Sequence, residues 1–246
     1  MARQWEIGSI NTTPVTITLP WIGVFLVVTL NFGSVDMIYT MSQLLPVEKQ
    51  LNVPTATLTN LGFGFIAAAG IYGGILLHEI GHSEIAKRND VGINKIELFL
   101  FGAKAEMEEE PNTPLKAFKI AAAGPLVSLL LGVALLVINI TFYQSLTPTL
   151  FALTTSLMFG NFIIAIFNLI PAYPLDGGRI LKAIFETQYP TQKATQRTME
   201  SSKTIGFCIA VLSIQFIEPV GLLFAGFLYV TSEYNSNDLS ETNLTV

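Results

Sequence analysis

Long apolar segments alternate with short polar segments along this chain. A helix needs about 20 apolar residues to cross the hydrocarbon core of a bilayer, and several segments approach or exceed that length. The pattern predicts membrane-spanning helices at about residues 15–35, 61–82, 120–142, 149–171, 199–217 and 219–234. Glu218 and Pro219 divide the last apolar stretch, so one kinked helix is the alternative to the final pair. The predicted fold class is an all-α polytopic membrane protein with about six transmembrane helices, forming a single domain over residues 1–246.

The segment at about residues 91–110 lacks the pattern of a membrane span. Ile93, Ile96 and Leu98 have β-branched or aromatic neighbours, and the segment becomes acidic from Glu106 onward. Such residues are enriched in strands, and Gly102 can interrupt an extended run. We expect a small membrane-associated β-hairpin whose edge pairs with an extended peptide substrate. A partly disordered connection is the alternative.

Composition agrees with a membrane protein. Hydrophobic residues make up 51% of the 246 residues and charged residues only 13%, and the mean hydropathy is +0.55. Soluble domains carry about 25% charged residues, so that class is excluded. The chain has no basic stripe of the kind that binds nucleic acid. Its single cysteine, Cys208, excludes an intrachain disulfide.

The basic residues predict how the spans are oriented. With six spans, 12 of the 13 Lys and Arg residues fall on one side of the membrane, and only Lys49 falls on the other. Cytoplasmic loops carry an excess of Lys and Arg. We therefore expect a multi-pass protein of the cell membrane with a cytoplasmic amino terminus.

The candidate chemistry lies in one pentapeptide at the end of the second span. His78 and His82, the only histidines of the chain, flank Glu79 in the sequence His-Glu-Ile-Gly-His. Imidazoles four residues apart lie on one face of a helix, where they can bind one Zn²⁺ beside a glutamate that takes up protons. The pentapeptide lies roughly 15 Å below the cytoplasmic boundary at 1.5 Å per residue. We predict a hydrolytic zinc site nearer the cytoplasmic side; two histidines hydrogen-bonded to Glu79 are the alternative.

Asp176 is the best candidate for a third ligand. Catalytic zinc usually has three protein ligands and one open position. The fourth span ends at two prolines, which stop regular helix, and Gly177 and Gly178 permit a sharp turn directly after the carboxylate. Spans two and four both run toward the cytoplasm, so His82 and Asp176 emerge at similar depth. The alternative role for Asp176 is the N-cap of a following helix.

Three motifs resemble the site-2 protease family of intramembrane zinc metalloproteases, in particular its compact archaeal and bacterial members. They are the pentapeptide, Ala123-Gly124-Pro125 and the run from Asn168 to Arg179. The resemblance implies an enzyme that cleaves the transmembrane segment of a single-span membrane protein. It also implies that Asn168 holds the substrate carbonyl or the oxyanion, that Glu79 is the catalytic acid and base, and that one zinc ion is bound by His78, His82 and Asp176.

The chain also departs from the family. Phe101-Gly102-Ala103 stands where many members have paired glycines, so we expect a substrate hairpin of different shape. The segments after the last span and between spans two and three are too short for the cystathionine-synthase-like or PDZ domains of other members, and neither is expected. Two other functions are the alternatives: a catalytically inactive zinc-binding scaffold, and a metal or ion transporter with polar groups along several spans.

Overall fold

The structure is a computed structural model of the chain, and it describes residues 4–10, 12–43, 46, 49, 57–99, 102–216 and 219–242. The elements in chain order are β1 Gln4–Ile10, β2 Thr13–Thr18, α1 Leu19–Phe32, α2 Val35–Gln43, α3 Thr57–Arg88, β3 Ile93–Phe99, β4 Gly102–Met107, α4 Pro114–Thr141, α5 Pro148–Asn168, α6 Asp176–Glu186, α7 Thr191–Phe216 and α8 Pro219–Thr242. They fall into two compact units, Met1–Glu109 with Leu126–Ala165, and Glu110–Pro125 with Ile166–Val246. That residues 1–246 act as one domain stays a prediction.

Three of the described helices are long and apolar enough to cross a membrane, namely Leu58–Arg88, Pro114–Thr141 and Pro148–Asn168. They coincide with the predicted spans at residues 61–82, 120–142 and 149–171. The third ends at Asn168 rather than at residue 171, because Pro171 has no N–H to continue the helix. Two further apolar helices, Leu19–Phe32 and Gly221–Glu233, are shorter. The prediction of about six spans is therefore not confirmed within the described residues.

The predicted first span, residues 15–35, is wrong at its beginning. Its first residues belong to β2, which pairs antiparallel with β1 and parallel with β3. The β-branched sequence Thr-Pro-Val-Thr-Ile-Thr favours a strand, which apolarity alone does not reveal. Helix α1 has only 14 residues, so it is about 21 Å long at 1.5 Å per residue, less than the roughly 30 Å hydrocarbon core.

The predicted hairpin is confirmed as β3 and β4, with Leu98 opposite Ala103. It belongs to a four-stranded sheet in the order β1-β2-β3-β4, so the chain is mostly helical with a small sheet rather than all-α. The amino-terminal strands join through parallel pairing of Val15 with Ile96, and residues so distant in sequence give no local signal. The prediction about Phe101 in the hairpin turn falls outside the described residues.

Two glycines of α3 let this helix approach α5 in the first unit. A Cβ at Gly70 would lie 2.5 Å from the side chain of Leu157, and a Cβ at Gly74 would lie 3.0 Å from the side chain of Asn161. Small residues at such positions allow close packing of helices in a membrane. Gly70, Gly74 and His78 are four residues apart and share one face of α3. Helix α5 therefore packs on the face of α3 that also carries His78.

The last apolar stretch forms two helices that run antiparallel to each other in the second unit. Lys203 of α7 pairs with Glu233 of α8 at 2.5 Å, and a Cβ at Gly206 would lie 3.3 Å from the carbonyl oxygen of Ala225. The residue later in α7 contacts the residue earlier in α8, so the two helices form a helical hairpin. The alternative of one kinked helix is therefore wrong.

Candidate metal and catalytic site

Helix α3 places both histidines on one buried face. His78 and His82 are 3% and 2% exposed, and their Nε2 atoms lie 3.2 Å apart. Glu79 is half-buried beside them, and one ligand atom from each of the three residues lies within 4.8 Å of the others. The pentapeptide therefore forms a cluster of three metal-binding side chains, as the helical spacing predicts.

The distance between the two nitrogens fits a shared metal ion. Two nitrogens at about 2.05 Å from a tetrahedral zinc ion would lie about 3.3 Å apart, close to the 3.2 Å found between His78 and His82. A ring nitrogen without a proton is an acceptor only, so the two Nε2 atoms can bind one cation between them when each ring carries its proton on Nδ1. Two imidazoles together with carboxylate oxygen form a ligand set that zinc prefers.

Glu79 contacts the sheet as well as the histidine cluster. Its Oε2 atom accepts a hydrogen bond of 2.8 Å from the backbone N–H of Ala105 on β4. An N–H that donates to a side chain is not used in the pairing of β4 with β3. Sequence reasoning missed this contact, because no pattern indicates which backbone amide faces α3.

Ser128 of α4 is a second partner that the sequence did not single out. It is fully buried, and its Oγ atom lies 3.0 Å from Nδ1 of His78. The only signal in the sequence is a lone hydroxyl within the apolar run Leu-Val-Ser-Leu-Leu-Leu. The hydrogen bond leaves Nε2 of His78 as the nitrogen that faces His82.

The second unit contains the other two predicted site residues. Asp176 is 7% exposed and is the first residue of α6, whose N-cap is Leu175 without a side-chain capping bond. The alternative role of Asp176 as a helix N-cap is therefore wrong. Asn168 is half-buried and is the last residue of α5. The connection between α5 and α6 therefore begins after Asn168 and ends at Asp176.

Two glycines fold this connection tightly upon itself. A Cβ at Gly177 would collide with the carbonyl oxygens of Leu169 and Ile170, and a Cβ at Gly178 would collide with the backbone of Ala172 and Tyr173. Only residues without a side chain fit here. These contacts place the start of α6, where Asp176 lies, against the residues that directly follow Asn168.

We expect Gly177→Ala to displace Asp176 and to lower both zinc affinity and stability. The added methyl group meets backbone atoms that cannot rotate away, and overpacking of this kind costs about 1–3 kcal/mol. Zinc titration and thermal unfolding of the purified chain measure the two effects. Gly226→Ala is the matched control, since no atom lies within 4 Å of its Cβ. Equal zinc affinity and equal melting temperature in the two variants would contradict the tight-turn account.

His78, Glu79 and His82 belong to the first unit, whereas Asn168 and Asp176 belong to the second. The structure brings the first three together. That Asp176 and Asn168 meet this cluster stays a prediction.

A cavity elsewhere in the first unit does not contain these residues. It has a volume of about 600 Å³, and its lining includes Leu136, Asn139, Tyr143, Phe151 and Thr155. No histidine, cysteine or carboxylate is among its described lining residues, so it offers no group that hydrolyses a peptide. The histidine cluster is the better candidate on chemical grounds.

Comparisons with known proteins agree with the motifs. The sequence profile described as Peptidase family M50 matches residues 66–148 and 137–213, a region that contains all five predicted site residues. A zinc metalloprotease of Methanocaldococcus jannaschii is 35% identical over 162 residues, which are 66% of this chain and 47% of the relative. A relative from Synechocystis sp. is 35% identical over 184 residues, which are 75% of this chain and 45% of that protein. The matches thus span about half the length of these curated relatives.

A solved structure is similar over nearly the whole chain. The site-2 protease from Methanocaldococcus jannaschii matches with a TM-score of 0.62 and 27% sequence identity, and the match covers 95% of each chain. Sequence profile, relatives and solved structure therefore lead to the same family.

Proposed function

Because the chain belongs to peptidase family M50, the family of the site-2 proteases, we propose that it is an intramembrane zinc metalloprotease. Its reaction is hydrolysis of a peptide bond within or near the transmembrane segment of a membrane protein, as part of regulated intramembrane proteolysis. The observation that supports this most directly is the pair of buried imidazole nitrogens 3.2 Å apart beside Glu79. A single-span protein is the proposed substrate class.

His78, His82 and Asp176 are the proposed ligands of one zinc ion per chain. Two buried imidazoles leave a catalytic zinc ion one protein ligand short. Asp176 supports the proposal because it is a buried carboxylate, and a carboxylate is the ligand that joins two imidazoles in one of the common catalytic zinc sites. Zinc at this site would act as a Lewis acid that activates water and polarises the scissile carbonyl group.

Glu79 is the proposed general base and acid. Its carboxylate accepts a proton from the attacking water and later donates that proton to the leaving amine. The N–H of Ala105 holds the carboxylate in place through the 2.8 Å hydrogen bond. The side-chain amide of Asn168 is proposed to donate a hydrogen bond to the carbonyl oxygen, which gains negative charge during attack.

The proposed binding surface for the extended part of the substrate is the edge of β4. A peptide can add to an exposed strand through main-chain hydrogen bonds, and β4 is the last strand of the sheet. Ala105 lies on this strand and contacts Glu79. A substrate that pairs with β4 and leaves the N–H of Ala105 to Glu79 would run beside the proposed base.

The proposed arrangement in the membrane has about six spans, a cytoplasmic amino terminus and a site nearer the cytoplasmic side. The distribution of 12 of 13 basic residues on one side supports it. Helices α1, α7 and α8 would have to cross together with the three long helices. At about 21 Å, α1 would need local thinning of the bilayer.

Cleavage assays of single-span substrates in vesicles test this function. We expect faster cleavage of transmembrane segments that contain Gly or Pro near the cut, because a regular helix keeps its carbonyl groups in hydrogen bonds. The matched control is the same substrate with polyleucine in place of those residues. Equal rates on both, or cleavage only at sites far from the transmembrane segment, would contradict the proposal.

An inactive zinc-binding scaffold would use the same ligands but would not need the acid-base chemistry of Glu79. A transporter would need polar groups in a continuous path along several spans. In the first unit, the described candidate ligands form one cluster on α3, which argues against a transporter; the effect of Glu79→Gln on cleavage separates the protease from the scaffold.

A further inference from the structure

We propose that Ser128 is a positioning residue of the metal site, which fixes the proton and the orientation of the His78 imidazole. This inference deepens the proposed function and rests on it, because it requires that His78 and His82 bind the zinc ion. Ser128 itself would touch neither substrate nor metal. It would act through the ring of His78 alone.

The hydrogen bonding of Ser128 differs from that of other buried serines in the described part of the chain. Ser202, Ser213 and Ser232 each donate to the carbonyl oxygen four residues earlier in their own helix. This local bond is a common arrangement for a serine in a helix. Ser128 instead has its Oγ atom 3.0 Å from Nδ1 of His78, on a different helix. Its position is thus specified by the histidine rather than by its own helix.

The burial of Ser128 indicates that its hydrogen bond to His78 matters for stability or function. Ser128 is 0% exposed and lies within an otherwise apolar part of α4. A hydroxyl group in such surroundings costs free energy unless it has a hydrogen-bond partner. An alanine would fill the same place without that requirement. We infer that the hydroxyl group has a function that alanine could not supply. It contacts Nδ1 of His78, the ring nitrogen that faces away from His82.

The function we assign to this hydroxyl group is to fix the tautomer of His78. A neutral ring carries its proton on one nitrogen and offers a lone pair on the other. Nε2 of His78 faces Nε2 of His82, so metal binding requires the proton on Nδ1. That N–H then donates to Oγ of Ser128. Such partners fix the tautomer and the ring orientation of metal-binding histidines, and their removal lowers metal affinity by about 10–100-fold.

We expect Ser128→Ala to weaken zinc binding by about 10–100-fold. Competition between the full chain in detergent and a chromophoric chelator measures the affinity. Ser232→Ala is the matched control, because Ser232 is also 0% exposed and bonds only within α8; it should bind zinc like the unsubstituted chain. Thermal unfolding in excess EDTA should not differ between Ser128→Ala and the unsubstituted chain, whereas a merely structural role would lower the melting temperature there.

A second pair of variants keeps the test decisive if alanine disturbs folding. Ser128→Thr and Ser128→Val have nearly the same volume and differ by a hydroxyl group against a methyl group. The threonine variant should retain affinity and the valine variant should lose it. Equal affinities in the pair would overturn the role of Ser128.

The His82→Ala variant separates this inference from the function on which it rests. If the unsubstituted chain binds zinc and His82→Ala does not, equal binding by the threonine and valine variants rejects only the role of Ser128. If the unsubstituted chain binds no zinc, the proposed protease function and the role of Ser128 both fail.

Discussion

Glu79→Gln is expected to lose peptide hydrolysis while it still binds one zinc ion per chain. Glutamine has nearly the shape of glutamate and can still contact the N–H of Ala105 through its carbonyl oxygen. It cannot accept a proton from water, and loss of general acid–base catalysis typically costs about 10²–10⁴-fold in rate. Cleavage rate and zinc content are measured on the same preparation.

Glu84→Gln is the control for this prediction. Glu84 lies on the same helix and its exposed carboxylate pairs with Arg88 at 2.8 Å, so an equivalent change there should leave both readouts unchanged. Normal cleavage by Glu79→Gln would exclude Glu79 as the base. Loss of zinc from Glu79→Gln would instead make Glu79 a ligand, which also contradicts the assignment.

Asp176→Asn is expected to lower zinc affinity by more than the 10–100-fold typical of a residue that only supports a ligand, and to abolish cleavage. The amide is neutral and binds zinc more weakly than a carboxylate does. Its size is unchanged, so the turn formed by Gly177 and its neighbours should persist. Chelator competition measures the affinity, and thermal unfolding without metal reports the stability.

Glu186→Gln is the matched control at the other end of α6. Glu186 lies 3.8 Å from Lys182 and has no proposed role at the metal. We expect this variant to bind zinc and to cleave substrate like the unsubstituted chain. Undiminished zinc affinity in Asp176→Asn would remove Asp176 from the ligand set, whatever the activity.

The histidine cluster could be predicted from sequence because it is local. Residues four positions apart on one helix share a face, so the two imidazoles can reach one point, whereas the 3.2 Å between their Nε2 atoms also depends on how each ring is turned. The contacts that complete the cluster are not local. Ala105 and Ser128 lie 26 residues from Glu79 and 50 residues from His78, and only tertiary structure brings them there.

The elements of the fold that local sequence determines could also be predicted, whereas those that depend on distant residues could not. Helices α3, α4 and α5 were predictable because a long apolar run has few alternatives in a membrane. Strand β2 was not, because its apolar residues adjoin those of α1 and its parallel partner β3 lies far along the chain. Asp176 is intermediate: the glycines after it predicted a turn, but its position at the first residue of α6 rather than at the N-cap depends on backbone geometry.

X-ray absorption at the zinc edge of the purified, zinc-loaded chain tests the central claim most directly. That claim is that His78, His82 and Asp176 bind one ion together. The account predicts one zinc per chain with two imidazole nitrogens and carboxylate oxygen at about 2.0–2.2 Å, and an altered oxygen shell in Asp176→Asn. A spectrum that is identical in the two proteins, or one without imidazole scattering, would contradict it.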